Sequence, residues 1–495
     1  MNWFMPFRVH ITLIFAGLVS AHLIASLYIY DTNLSLSKTI IAVSHAGYVP
    51  VPNLRLIPML SSYHTALISA LFFTLSAGSG ITLLTYLLVW LWHHHRRSWI
   101  AQVMIMLSCL ISLNEHGFNF WTSLLFIGVP IAVIAAYRLS KMYLKTVMVT
   151  DPLVNFFYFL IVAYVLMLLV VIKPDSDYAF FFVRDRFLFS NPMGLKINDF
   201  YYKYNLFPTE AFKSLEQKLM KTCYIQNSSS ISSSDLALLE RKMSESDYIL
   251  FKHDPVGEID CVIHILNQHN IDLINQDKPI IHTSLSEFLK HSKRIFTDFS
   301  NKSDRFSFFR QFTFYSLILA FPILMVWIMI VGLSVLFSLM MSQKHATIVS
   351  SIMVIICYVI LMYCTYSLRC DQEALQHENN LCSIYKIYQE KLEVSNFPTY
   401  KHVMSNSNIA ETYWLLKTMA FSKTPETVSD IRHFLNSPHI NLVCMALYAG
   451  SCRKDQVIIQ YAWAKLNNSE HWYEQQYAYQ ALKELGWRQT SGSKP

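Results

Sequence analysis

The chain has 495 residues, 53% of them hydrophobic and 15% charged, with a mean hydropathy of +0.31. Soluble domains carry about 25% charged residues, so this balance excludes an ordinary cytosolic enzyme. It also excludes an unfolded chain, which needs low hydrophobicity and high net charge. The formal charge of +7 is modest for the length, and 12 Gly with 16 Pro leave no room for collagenous or proline-rich repeats.

A bilayer core about 30 Å thick is crossed by about 20 apolar residues in a helix. Seven stretches meet or approach that length, at 9–30, 65–92, 99–114, 119–137, 153–172, 312–341 and 347–367. The first is longer than a signal-peptide core and reads as a retained anchor. In the second, Ser76-Ala-Gly-Ser-Gly80 places small residues mid-span, where they permit close helix approach or a kink. Lys and Arg in the short loops orient the set. Arg8, Arg96, Arg97, Arg138, Lys141, Lys145 and Lys344 fall on one side; Lys38 and Arg55 fall on the other. This asymmetry predicts a cytoplasmic N-terminus and sends 173–311 and 368–495 to the outer side, as in a bacterial inner-membrane protein. The expected fold is therefore a polytopic α-helical membrane protein. Five helices over 1–172 form a membrane domain, and 173–311 is an extracytoplasmic α/β or α+β domain. Two further membrane helices follow over 312–367, then an extracytoplasmic helical domain over 368–495.

Cysteine usage fits an oxidising outer compartment. Cys223, Cys261, Cys370, Cys382, Cys444 and Cys452 all fall in the two outer segments. Cys223 and Cys261 stand alone in their domain and are the natural disulfide pair. Cys370 and Cys382, on one expected helix, are about 18 Å apart by rise, too far to bridge each other. Each is expected to seek Cys444 or Cys452.

The first outer segment opens with aromatics interleaved with cations, including Arg184, Arg186, Tyr201 and Tyr202. Amphipathic rings settle at the headgroup level, so these four predict a membrane-surface collar, with lipid or apolar-ligand handling as the alternative. A helix is expected over 208–222, and the serine-rich run Asn227–Asp235 reads as a loop ending in a helix cap. Tyr248–Phe251 predicts a strand, 259–266 a helix and Pro279–Thr283 a strand. Ser284-Leu-Ser-Glu287 is a capping box opening a helix to about Phe296. This is a small parallel α/β pattern. No glycine-rich loop joins a strand to a helix, so nucleotide binding has no support.

The second outer segment begins with a polar helix expected over 371–393 and then repeats itself. Asn436-Ser-Pro-His439 with Ala446 and Ala449 recurs 32 residues on as Asn468-Ser-Glu-His471 with Ala478 and Ala481, and a weaker copy starts at Ser407. This resembles HEAT-like repeats of the short, roughly 30-residue kind, over about 80 residues. The resemblance implies stacked helix pairs with a protein-binding or domain-docking surface and no catalytic residues. Departing from that family's usual Val-Arg pair, the copies carry Leu442-Val443 and Glu474-Gln475. Trp472, Tyr473, Tyr477 and Tyr479 on the last helix either cap the stack or present an interface.

Chemistry finds little purchase. His22 with His64, and His10 with His93, suggest stacked haem ligation on paper, but their spacings along the two helices do not match. Consecutive His93-His94-His95 cannot share one helix face. No catalytic residue, metal ligand or cofactor is expected, and the dispersed basic residues give no nucleic-acid surface. The expected function is a non-catalytic membrane protein that docks or assembles protein partners outside the bilayer. A transporter or lipid-handling permease subunit is the alternative and a membrane redox subunit the third.

Overall fold

The computed structural model describes residues 4–94, 98–144, 184–185, 188–189, 191–251, 259–367, 380–397, 400–405 and 408–489. The expected span 153–172, the collar residue Arg186 and Cys370 lie outside them. The chain divides into two compact units. One comprises Met1–Tyr30, Tyr63–Ala179 and Arg305–Arg369; the other comprises Asp31–Ser62, Phe180–Asp304 and Cys370–Pro495.

The first unit is helical. Helix α1 is Phe4–His45, far longer than the expected span 9–30. Nothing between Asp31 and His45 breaks a helix, and it stops where Gly47 takes a φ of +82° and Tyr48 N–H reaches back to the Val43 carbonyl. Helical run α2 joins Tyr63–Ser69, Leu71–Phe73, a π-helical turn at Thr74–Gly78 and Ser79–His94. Helix α3 is Ser98–Leu113 and α4 is Phe120–Leu144, with Pro130 inside it. Four helices of the described chain are long and apolar enough to cross a membrane: Ile11–His45, Tyr63–Val89, Phe120–Ser140 and Ser307–Phe337.

The second unit holds a sheet and a helical stack. After helices α5 (Pro192–Tyr204) and α6 (Leu206–Glu210) come β1 (Lys221–Gln226), α7 (Ser233–Glu245) and β2 (Tyr248–Phe251). Strands β3 (Cys261–Ile265), β4 (Asn270–Asn275) and β5 (Lys278–Ser284) follow, then α8 (Leu285–Lys302). The strand order is β2-β1-β3-β4-β5, with β1 parallel to β2 and β3, and β3-β4-β5 an antiparallel meander. Ser284 is the expected N-cap, its Oγ accepting from Glu287 N–H, while the Glu287 carboxylate accepts from Thr283 Oγ1. Three expectations fail. The sheet is mixed and not parallel, with the expected strands β2 and β5 at its opposite edges. The segment 259–266 is a strand, because Cys261, Ile263 and Ile265 are buried while Val262 and His264 are not, a period of two. The expected helix 208–222 stops at Glu210, and its end becomes the interior strand β1.

Returning to the first unit, helical run α9 joins Ser307–Tyr315, a second π-helical turn at Ser316–Ala320, and Phe321–Phe337; α10 is Gln343–Ser367. The two π-helical turns pack against each other. Close packing here depends on glycine: a Cβ at Gly80 would collide with Ser316 and one at Gly17 with Thr82.

The stack of the second unit is α11 (Asn380–Glu390), α12 (Ile409–Met419), α13 (Glu426–His433), α14 (Ile440–Cys452), α15 (Ile458–Asn468) and α16 (Trp472–Glu484). Helices α11, α12, α14 and α16 pack in succession. The last three begin at Ile409, Ile440 and Trp472, 31 and then 32 residues apart. At both later starts a serine turns the chain in the same way, with Ser437 Oγ accepting from His439 N–H and Ser469 Oγ from His471 N–H. Ala446, Ala449, Ala478 and Ala481 are buried where the helices meet. Cys382 is disulfide-bonded, whereas Cys444 and Cys452 are free thiols, so the expected pairing of Cys382 to either is wrong. It rested on one continuous helix from Asp371, and the described helix starts only at Asn380.

Candidate functional site

A repeat stack offers partners the surface formed by its successive helices. In this unit that surface is met by the protein's own chain at each step. At α12, Asp185 accepts a hydrogen bond from the indole N–H of Trp414, the largest fully buried side chain. Arg184 Nε lies 2.7 Å from Asp185 Oδ1, and its guanidinium stacks 4.0 Å over the Tyr413 ring. Burial pushes the Asp185 carboxyl above its ordinary range even against the pull of Arg184 and Trp414. At α14, Asn198 Nδ2 donates to Asn441 Oδ1 at 2.9 Å, both side chains buried. At α16, Asn205 Nδ2 donates to Tyr473 Oη at 3.3 Å, Tyr202 meets the Tyr473 ring edge-on at 4.5 Å, and Phe207 meets Trp472 at 5.2 Å. The stretch from Arg184 to Phe207 thus runs along the helices in order.

The segment Asp31–Ser62 supplies a second clasp. Its turn at Asn53 docks on the second copy of the sequence repeat, Asn53 Nδ2 donating to the carbonyls of Leu466 (2.9 Å) and Ser469 (3.1 Å). Asn53 N–H donates to Gln475 Oε1 at 2.8 Å. Gln475 therefore binds this turn. Gln489 Nε2 holds the Val49 carbonyl at 2.8 Å, and Tyr48 Oη reaches the Leu250 carbonyl of β2 at 3.3 Å.

The predicted site residues separate accordingly. Of the three described residues of the expected collar, Arg184 is buried against α12, Tyr202 is half-buried against Tyr473, and Tyr201 is exposed. Trp472 and Tyr479 are buried, and Tyr473 and Tyr477 half-buried, so these four are covered by the protein's own chain and form no open face. Cys223 and Cys261 are brought together as register partners on β1 and β3, both wholly buried and both free thiols. Burial pushes the Cys223 thiol well up, which keeps it protonated and a poor nucleophile. The residues that sequence reasoning missed are Asn53, Asp185, Asn198 and Gln475; a short polar side chain carries no local signal of a partner hundreds of positions away.

In the first unit, four buried hydroxyls of α2 are satisfied within the helix. Thr74, Ser76, Ser79 and Thr85 each donate to the carbonyl four residues back. His22 Nδ1 sits 2.9 Å from Thr74 Oγ1. Thr82 and Thr313 are buried with hydroxyls that lack a hydrogen-bond partner. Among the described residues no group of three His, Cys, Asp or Glu could hold a metal. No protein-family model matches the chain, and comparison with characterised proteins and with solved structures finds no similar one.

Proposed function

We propose that this is a non-catalytic integral membrane protein whose second unit stands outside the cytoplasm and docks or assembles protein partners. The observation that carries the reading is the composition of that unit. It gathers Asp31–Ser62, Phe180–Asp304 and Cys370–Pro495, the very segments that the Lys and Arg distribution assigns to one side. A compact body cannot straddle a bilayer, so the chain crosses an even number of times between each pair of these segments. Between Asp304 and Cys370 this requires α10 to cross as well as α9. Between Ser62 and Phe180 it requires α2 and α4 to cross with both or neither of α3 and 153–172; both give seven spans. A stack of HEAT-like character sewn to the outer segments forms a pre-organised platform, which lowers the cost of ordering on binding.

Two measurements test this. Thiol labelling of intact cells through a cysteine introduced at exposed Ser234 should modify the protein without permeabilisation. Cross-linking from the same unit, followed by mild-detergent purification, should return a heteromeric complex of fixed stoichiometry. Labelling only after lysis, or recovery of the lone polypeptide, overturns the reading.

The paired π-helical turns favour a second reading, a transporter or permease subunit, because such turns recur at functional sites in helices. Uptake into proteoliposomes that is lost in Thr82→Val and Thr313→Val would favour it; passive proteoliposomes would remove it.

A further inference from the structure

We infer that the α/β lobe carries a binding cleft for a phosphate-bearing anion, formed where helix α8 kinks against the edge of β1 and β2. The cleft has a volume of about 840 Å³, within the range of small-ligand sites. Its construction depends on the kink. A regular helix turns about 100° per residue, so five consecutive side chains point to every side. At His291 the backbone leaves helical geometry (φ −125°, ψ +30°), and Lys290, His291, Ser292, Lys293 and Arg294 all line the same opening. Phe288 and Phe296 on either side of the kink stay buried, packed edge-on at 5.3 Å, so the kinked turn is fixed to the core at both ends.

Charge gives the ligand class. Among the described residues five cations line the cleft: Lys221, Lys242, Lys290, Lys293 and Arg294. Three carboxylates also line it, and two of them are engaged. Glu245 takes Arg241 and Lys242 at 2.8 Å each, and Asp247 takes Lys483 at 2.6 Å. Glu216 is the third, and Asp247 first, then Glu216, lie close enough to Lys221 to favour its charge. Arg294 is 3.9 Å from Asp298. Lys290 and Lys293 have no ion-pair partner among the described residues. Lys221 sits at the first position of β1 with its ammonium 5.6 Å from the Tyr248 ring, half-buried, and burial lowers its pKa. A desolvated ammonium beside two unpaired ones favours an anion that carries more than one charge and accepts from several donors, as a phosphate does. The stacked rings of Tyr248 and Phe296, 4.5 Å apart, form the apolar floor. A phosphate ester in solution and a phospholipid headgroup share this chemistry.

The test uses the full-length protein in an uncharged detergent, titrated calorimetrically with inorganic pyrophosphate and, separately, with dihexanoyl phosphatidylglycerol below its micellar concentration. Saturable binding of at least one probe is expected, weakening as ionic strength rises. Lys290→Glu with Lys293→Glu should raise Kd about tenfold or more, while Lys302→Glu, on the same helix beyond the cleft, should leave it unchanged. Both reversed lysines are exposed, so a retained melting temperature shows the fold intact. Binding of pyrophosphate alone assigns a free phosphate compound, and binding of the glycerophospholipid alone assigns a headgroup. Absence of saturable binding by either probe overturns the proposal, as does a doubly reversed variant that binds like the parent or affinity indifferent to salt.

Discussion

Two apolar helices of this chain have opposite fates. In α14, Ile440–Cys452, ten of thirteen residues are buried by the rest of the protein. In α9, the stretch Phe321–Phe337 is apolar on every face, and Met325, Ile328, Met329, Val335 and Leu336 stand exposed. Hydrophobicity alone does not separate them. What separates them is who covers the surface: for α14 the protein does so with neighbouring helices and Asn198, while much of α9 is left uncovered by the chain, as a helix suited to lipid would be. Length carries the distinction, since 13 residues cannot cross a bilayer and the 31 of Ser307–Phe337 can.

The comparison breaks most readily at the stack, where the protein is its own solvent. Trp414→Ala removes a fully buried indole and the hydrogen bond that Asp185 receives. Such truncations cost about 3–5 kcal/mol, here with a buried carboxylate left short of a donor. Thermal or urea unfolding of the full chain should show that loss confined to the second unit. A change below about 1 kcal/mol would mean that Trp414 is not the anchor of the stack.

The lipid side of the comparison is sharpened by Ile328→Arg. Ile328 is 39% exposed on α9. An arginine at mid-helix costs about 2.5–3.5 kcal/mol on insertion into hydrocarbon, and almost nothing on a water-facing surface. Reduced insertion in a membrane-integration assay is expected. Unchanged insertion and solubility would put this face in water and dissolve the contrast with α14.

How much of this was legible follows from the range of each interaction. The two repeat anchors ending in His439 and His471 could be read because a serine turn and two alanines are local and recur. The N-cap at Ser284 is equally local. Strand β1 was hidden because Met220-Lys-Thr-Cys-Tyr-Ile-Gln226 abuts a helix-like run, and β3 because a short apolar run reads as helix or strand alike. Strand β4, Asn270-Ile-Asp-Leu-Ile-Asn275, alternates cleanly and was available to a closer reading. The clasp of Arg184, Asp185, Asn198 and Asn53 on the stack was not available at all. Aromatics with arginine suit a headgroup and a buried seam equally, and only tertiary structure decides between them.

Asn53→Ala tests the clasp at a smaller scale. It removes three hydrogen bonds, the two to the Leu466 and Ser469 carbonyls and the one Asn53 Oδ1 accepts from Arg55 N–H, and the Ser469 carbonyl keeps Gln475 Nε2 as a donor. The expected cost is about 1–3 kcal/mol, accompanied by faster proteolysis within Val49–Leu56. Unchanged protection would show that Gln475 and Gln489 hold the turn without Asn53.

The smallest effect is a pH dependence that the stack should have and the long apolar helices should not. His471 stands just before α16, and burial lowers its pKa from the ordinary 6.5, with Lys203 acting in the same direction and Glu474 and Asp199 opposing. A folded state that prefers the neutral ring gains full stability above the unfolded value. It loses stability as pH falls through about 6.5, because the unfolded chain then takes up the proton first. Asp455, held low chiefly by its hydrogen bonds from Arg432, contributes stability that fades only as pH falls through the much lower carboxylate range. The two windows are therefore separable in one titration. The melting temperature of the second unit should decline as pH drops below about 6.5, and His471→Gln should flatten that decline while leaving the carboxylate window in place. A decline that persists in His471→Gln would assign it to another group and remove His471 from the account.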